Sequence, residues 1–222
     1  MKYKNKSIKI SCDGGAATGK STGAKLLAKK YKLKFLSSGL LYRYAAFMIL
    51  KDQPKNRIKY LKIKFENLKL EELKSLNLLT PKVSEFSAEI AKIKKIRQIL
   101  KKYQVDFSKK YKNCCIEGRD ISTNILPKSD VKFFFICKLN IAAKRRFKEL
   151  KKINPKIDLK DVKKALRVRN LLDKKRKNSP LLKHRDSVVI DTGKLGKQAM
   201  LVKMSKTVER TLKNKYGNRT RD

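Results

Sequence analysis

The chain has 222 residues, 41% of them hydrophobic, and its 60 Lys and Arg against 19 Asp and Glu give a formal net charge of +41. This length suits one domain with a substantial core and excludes a small disulfide-stapled fold. No apolar run approaches the roughly 20 residues that cross a bilayer, and the apolar stretch 8–12 is shorter than the roughly 7 to 15 residues of a secretory signal core. We therefore expect a cytoplasmic protein that makes no membrane contact.

Lysine carries most of the positive charge, because the sequence has only 13 arginines and 47 lysines. The lysines are spread over every segment and lack the interleaved aromatic residues that are typical of a single-strand nucleic-acid groove. We interpret them as solvated surface and expect no specific nucleic-acid partner. An arginine in so lysine-rich a chain indicates a site that requires a planar, bidentate donor.

The four cysteines are Cys12, Cys114, Cys115 and Cys137, and each falls within an apolar, strand-like run. None of them forms the C-x-x-C spacing that is typical of metal sites. The pattern predicts buried, reduced thiols and no cysteine-bound metal.

Strand and helix patterns alternate along the first half of the chain. They predict, in order, a strand at 8–12, a helix from Lys20 to Lys30, a strand at 33–36 and a helix at 40–50. A lysine-rich insertion of helical tendency follows at about 57–111, with a long segment at 84–103.

The second half continues the alternation, and its continuous apolar runs are typical of buried parallel strands. The patterns predict strands at 113–116, 131–138 and 187–191, helices at 140–153, from about Asp158 and at 197–215, a mobile loop-helix at 166–180, and a frayed tail at 216–222. The class is therefore α/β, with a parallel five-stranded sheet flanked by helices.

Residues 14–21 read GGAATGKS and fit the phosphate-loop pattern G-x-x-x-x-G-K-[ST], between a predicted strand and a predicted helix. Small residues let consecutive backbone N–H groups curl around phosphate oxygens, and the helix N-terminus adds positive potential. We expect Lys20 to reach the β- and γ-phosphates of a bound nucleotide and the Ser21 hydroxyl to ligate Mg²⁺.

Beyond this loop, residues 38–43 read SGLLYR directly after the second predicted strand. With the phosphate loop, this segment resembles the bacterial cytidylate kinase family, and the resemblance covers residues 8–192. Its further motifs stand in the family's order: Ile96-Arg97, Gly118-Arg119-Asp120, Arg169 with Asp173, Arg176, Pro180-Leu181 and Asp191-Thr192.

The resemblance implies an ATP-dependent kinase of CMP and dCMP with a P-loop NTPase fold. It implies one domain: a core at about 5–51, 112–165 and 183–215, a helical NMP-binding insertion at 52–111, and a mobile lid at 166–182. It also implies small-molecule substrates, and we expect a monomer.

The resemblance assigns roles residue by residue. The ATP-binding residues are Gly14, Gly15, Ala16, Ala17, Thr18, Gly19, Lys20, Ser21 and Thr22. The acceptor phosphate is assigned to Ser38, Arg43 and Arg119, with Tyr42 in the same motif. The cytosine base is assigned to Arg97, Asp120 and Arg176, the sugar to Asp173, and the transferring phosphoryl group to Arg169. Lys20, Arg119, Arg169 and Arg176 form the predicted catalytic set.

The chain departs from the family pattern at several positions, which bear on base selectivity more than on catalysis. These are Ser37 before the S-G pair, Leu79 before the Thr-Pro corner, Ala88 where a base-contacting Ser is expected, Glu117 in place of Asp, and Asn170, Leu171 and Leu172 in the lid. Two alternatives stay open: a small P-loop kinase of adenylate or shikimate type, and a basic nucleic-acid-binding protein.

Overall fold

The computed structural model describes residues 6–217 of the chain. Within that range the chain forms two compact units, one comprising residues 6–35 and 112–217 and the other residues 36–111. We call them the sheet unit and the helical unit.

The strands form one sheet in the order β2-β3-β1-β4-β5. Their bounds are β1 Lys9–Gly14, β2 Lys34–Ser37, β3 Cys114–Gly118, β4 Val131–Ile136 and β5 Val188–Asp191. β1 pairs in parallel with β3 and β4, and β4 pairs in parallel with β5. The predicted parallel five-stranded sheet is confirmed.

The central strands are buried on both faces, which is why their sequences are continuous apolar runs. Ile10, Phe133 and Phe135 are fully buried in a core that includes Leu27 of the first helix and Met204 of the last. Three of the cysteines are buried, Cys137 is half-buried, and all four are free thiols.

Four helices flank the sheet in its own unit: α1 Lys20–Lys30, α7 Leu139–Lys151, α8 Leu159–Lys175 and α9 Lys197–Tyr216. The first two-thirds of the predicted loop-helix at 166–180 is the end of α8. This helix begins where the Asp158 carboxylate accepts a bond from the Lys160 N–H at 3.1 Å. The predicted fraying at Tyr216 is wrong, because its hydroxyl donates to the Ser7 carbonyl at 2.9 Å. Residues 218–222 of the predicted tail lie outside the described residues.

The helical unit contains α2 Ser38–Asp52, α3 Arg57–Glu66, α4 Glu72–Ser75, α5 Pro81–Ile90 and α6 Lys94–Lys110. Thr80 caps α5, and Pro81 is its first residue. The long segment at 84–103 is divided between two helices, because a turn at 91–93 separates α5 from α6. On one continuous helix Ile90 and Ile96 would point about 120° apart, and the turn allows both to be buried.

A helix needs about 20 consecutive and mostly apolar residues to cross a bilayer. In the part of the chain that the structure describes, no helix is both long and apolar enough to do so.

Phe133 provides a test of this core, because its side chain is fully buried while Ile136, on the same strand, is 40% exposed. Phe133→Ala should lower the free energy of unfolding by about 3 to 5 kcal/mol, since it removes a large apolar side chain and leaves a cavity. Ile136→Ala should cost about 1 kcal/mol or less. Urea unfolding followed by circular dichroism measures both, and equal losses would contradict the described core.

Candidate functional site

The loop between β1 and α1 has a backbone shaped for an anion. Ala17 and Gly19 have left-handed φ values of 55° and 78°, and this alternation turns successive N–H groups toward one concave side. Gly14 is required for close packing, because a Cβ there would lie 2.5 Å from the backbone oxygen of Phe135. The loop therefore offers backbone donors at the N-terminus of α1, where the helix dipole adds to them.

Three side chains hold this loop in place. Thr18 donates its hydroxyl to the Gly15 carbonyl at 3.0 Å, and Thr192 donates its hydroxyl to the Thr18 carbonyl at 2.8 Å. Arg145 donates in turn to the hydroxyl and the carbonyl of Thr192, at 2.8 and 2.7 Å. Sequence reasoning missed Arg145, and its only signal was the scarcity of arginine in the chain.

Lys20 is the buried cation of the loop. Its ammonium donates to the Gly15 carbonyl at 3.3 Å and lies 3.7 Å from a carboxylate oxygen of Glu117. Burial, followed by the nearby charge of Arg119, lowers the pKa of Lys20 to about 8, although Glu117 partly opposes the shift. Burial therefore penalises the charged form of Lys20, and a polyanion bound beside it would favour that form.

The oxygen donors near Lys20 fit a Mg²⁺ ion. Ser21 places a hydroxyl in the first turn of α1, and Glu117 places a buried carboxylate at the end of β3. A hydroxyl and a carboxylate are hard oxygen ligands, and Mg²⁺ usually completes its octahedron with phosphate oxygens and water. The donor set therefore matches Mg²⁺ carried by a nucleotide polyphosphate.

Asp13 ties the end of β1 to the segment that follows β3. Its fully buried carboxylate accepts bonds from the N–H of Ile121 at 2.8 Å, the N–H of Ser122 at 2.7 Å and the hydroxyl of Ser122 at 2.6 Å. Burial raises the pKa of Asp13 to about 6 in spite of these bonds. They hold a single π-helical turn, Ile121–Ile125, directly after Arg119 and Asp120.

Arg119 and Arg176 meet two carboxylates in the same unit. Arg119 Nε donates to Asp173 at 2.7 Å, and Arg176 lies 3.6 Å from Asp173 and 3.5 Å from Asp120. Burial alone would raise the pKa of Asp173, but its arginine partners lower it. The structure thus brings together four of the predicted site residues, from the turn after β3 and the end of α8.

Two adjacent residues of α8, Arg169 and Asn170, contribute two further groups to the site. The charge of Arg169 acts on Lys20 and lowers its pKa. Asn170 accepts a bond from the Ala16 N–H of the phosphate loop at 3.0 Å. The sequence drew attention to Asn170 only as a departure from the family pattern, and its contact was not predicted.

The helical unit holds the other predicted substrate-binding residues. Ser38 is buried in the first turn of α2, and Arg43 donates to the Ser84 hydroxyl at 3.4 Å and to the Gly39 carbonyl at 3.3 Å. Arg97 is buried on α6, with its guanidinium 5.6 Å from the centre of the Tyr42 ring. Tyr42 and Arg97 are therefore brought together, a contact that the motif spacing did not predict.

Comparison with known proteins identifies the family. The sequence profile described as cytidylate kinase matches residues 10–210 of the chain. The chain belongs to the cytidylate kinase family. A cytidylate kinase of Mesomycoplasma hyopneumoniae is 35% identical over 93% of this chain and 96% of its own length, and one of Clostridium tetani is 32% identical over 96% and 99%.

Solved structures add support for the fold alone. An uncharacterised protein from Eubacterium ventriosum superposes with a TM-score of 0.54 at 16% identity, over 92% of this chain and 99% of its own. A Thermus thermophilus protein gives a TM-score of 0.52 at 16% identity, over 93% and 98%. Both cover nearly the whole chain in spite of low sequence identity.

The lowered pKa of Lys20 predicts a pH dependence of triphosphate binding. Bound phosphates raise the pKa above its value of about 8 in the unliganded protein, so the site has to take up a proton when it binds ATP above pH 8. The ATP affinity should therefore already be about halved at pH 8 relative to its value well below that pH, and it should fall by up to about tenfold per unit at higher pH.

Titration calorimetry from pH 7.5 to 9.5, in buffers of different ionisation enthalpy, measures the affinity and the proton uptake together. Lys20→Arg is the matched control, because its guanidinium stays charged throughout and should abolish the slope. An affinity that is flat to pH 9.5 in the unaltered protein would contradict this account of Lys20.

Proposed function

We propose that the chain transfers the γ-phosphoryl group of ATP to CMP and dCMP, yielding CDP or dCDP together with ADP. The observation that carries the proposal is a concave phosphate loop with the buried cation Lys20. The same unit contains Arg119 and Arg176, each paired with a carboxylate. Membership of the cytidylate kinase family supports cytosine nucleotides as the acceptors.

On the donor side, the backbone N–H groups of residues 14–22 and the Lys20 ammonium bind the phosphates of ATP. Lys20 acts as a point charge on the β- and γ-phosphates, and Ser21 ligates Mg²⁺ with Glu117 close by. When bound, Mg²⁺ neutralises charge on the same phosphates. Arg145 and Thr192 keep the loop in the shape that these contacts need.

On the acceptor side, Ser38, Arg43 and Arg119 bind the monophosphate, because a guanidinium fork matches two phosphate oxygens. Arg97, Asp120 and Arg176 read the cytosine base, and Asp173 binds the sugar. Ala88 supplies no hydrogen bond, and the neighbouring Ser87 hydroxyl already donates to the Ser84 carbonyl at 2.7 Å. The Ser87 hydroxyl keeps only its acceptor capacity, and we assign base selectivity to Arg97, Asp120 and Arg176.

The reaction needs no nucleophilic side chain. An oxygen of the acceptor monophosphate attacks the γ-phosphorus, the bond to the bridging oxygen breaks, and ADP leaves with the electron pair. Arg169 and Lys20 neutralise the charge that develops on the transferred group. The lid at 166–182 excludes water, which would otherwise accept the phosphoryl group.

Family membership disfavours both alternatives, the adenylate- or shikimate-type kinase and the nucleic-acid-binding protein. We further propose that the lysines other than buried ones such as Lys20 form a solvated surface, and that the enzyme acts as a cytoplasmic monomer on small molecules.

The proposal is tested by coupled ADP release with CMP, dCMP, UMP and AMP as acceptors. CMP and dCMP should be the best substrates by kcat/KM, and Lys20→Met should reduce turnover by at least about a hundredfold, since one preorganised charge at the reacting phosphates is removed. Lys29→Met is the matched control, because Lys29 is an exposed residue of the same helix, and it should keep the activity of the unaltered protein.

Two results would overturn the proposal. A preference for AMP over CMP would move the chain to another acceptor class, and near-normal kcat in Lys20→Met would remove the phosphate loop from the reaction.

A further inference from the structure

Asn170, on the part of α8 that belongs to the proposed lid, accepts a hydrogen bond from a backbone N–H of the phosphate loop. The Ala16 N–H donates to Oδ1 of Asn170 at 3.0 Å, across 154 residues of sequence. The approach is close along the loop, because a Cβ added to Gly15 would lie 3.1 Å from the same oxygen. A neutral amide oxygen thus lies against backbone that is shaped for the oxygens of an anion.

One N–H group forms one strong, linear hydrogen bond, so a phosphate oxygen and the Asn170 oxygen compete for Ala16. The loop keeps its anion-binding conformation while Asn170 is in place, with Ala17 at φ 55° and Gly19 at φ 78°. Asn170 therefore occupies part of a preformed site and does not distort it.

The same helix connects this contact to the acceptor residues. Asn170 and Asp173 are three residues apart on α8 and so share a face, and Asp173 binds Arg119 at 2.7 Å. A displacement of Asn170 therefore acts on a helix whose next turn carries Asp173. Asp173 binds Arg119, which we assign to the acceptor phosphate.

We propose that Asn170 is a built-in competitor of ATP, which occupies the Ala16 N–H in the unliganded enzyme and leaves when the nucleotide phosphates arrive. The inference rests on the proposed function in one respect, that the loop binds ATP. The part of α8 that bears Asn170 and Asp173 is then released from the loop by the donor nucleotide.

The competition sets the size of the expected effect. The apparent dissociation constant of a ligand is its intrinsic value divided by the fraction of protein in which the site is open. One neutral hydrogen bond that closes the site changes that fraction by about three- to tenfold. Asn170→Ala should therefore tighten ATP binding by about three- to tenfold. It should also speed amide hydrogen exchange at Ala16 in the absence of any nucleotide, because the N–H loses its acceptor.

Two measurements on the full chain test the proposal: the ATP dissociation constant from calorimetry without an acceptor, and hydrogen exchange of peptides that contain Ala16. Asn170→Gly is a second variant, because Gly lowers helix propensity while Ala raises it. Tighter ATP binding in both variants separates loss of the amide from a change in helix stability. Val168→Ala is the matched control, since Val168 is 50% exposed on the same helix, and it should match the unaltered protein.

Unchanged or weaker ATP binding in Asn170→Ala, with acceptor-dependent ADP release intact in the unaltered protein, would overturn the inference and leave the proposed function standing. Unchanged exchange at Ala16 would overturn it as well, because it would show that the amide does not protect the loop. Failure of the unaltered protein to bind ATP would overturn the proposed function, and this inference with it.

Discussion

The arrangement of the site depends on one buried carboxylate. Asp13 stands at the end of β1, one residue before the phosphate loop, and binds the turn that follows β3 through three hydrogen bonds of 2.6–2.8 Å. Because neighbouring parallel strands end at the same edge of a sheet, this carboxylate fixes the loop that holds Lys20 relative to the segment that carries Arg119 and Asp120. A bond from a buried charge to backbone N–H groups is strong and directional, so the two segments are held with little freedom.

Close to the hydrogen bonds of Asp13, the sheet unit contains a cluster of positive charge that its carboxylates do not fully neutralise. Lys20, Arg119 and Arg169 all lie close enough for the two arginines to lower the pKa of the lysine. Asp173 and Glu117 offset only part of this charge. A nucleotide polyphosphate bound as proposed above would relieve the repulsion among these cations. Arginine at positions 119 and 169 fits this proposal, because a guanidinium donates to phosphate oxygens in a bidentate fork that lysine does not offer.

Much of the fold follows from sequence pattern. Helix α1 has the predicted bounds, because the phosphate loop fixes its start and the apolar positions fix its buried face. The sheet was predictable because its strands are continuous apolar runs. The break between α5 and α6 was not, since residues 91–93 contain no Gly or Pro to mark it, and only tertiary burial of Ile90 and Ile96 requires it. The bond from the Ala16 N–H to Asn170 and the two bonds from Arg145 to Thr192 join residues far apart in sequence, and a local pattern carries no information about such contacts.

Steady-state kinetics of Asp13→Asn, with CMP and ATP varied separately, test whether Asp13 positions the segment that carries Arg119 and Asp120. The matched control is Ser11→Ala, which removes another buried polar group of β1, whose hydroxyl lies 2.9 Å from that of Ser129. Asp13→Asn should raise the KM for CMP by about tenfold or more, which is the scale of one charge-assisted hydrogen bond. It should raise the KM for ATP by much less. A KM for CMP equal to that of Ser11→Ala would contradict this role of Asp13.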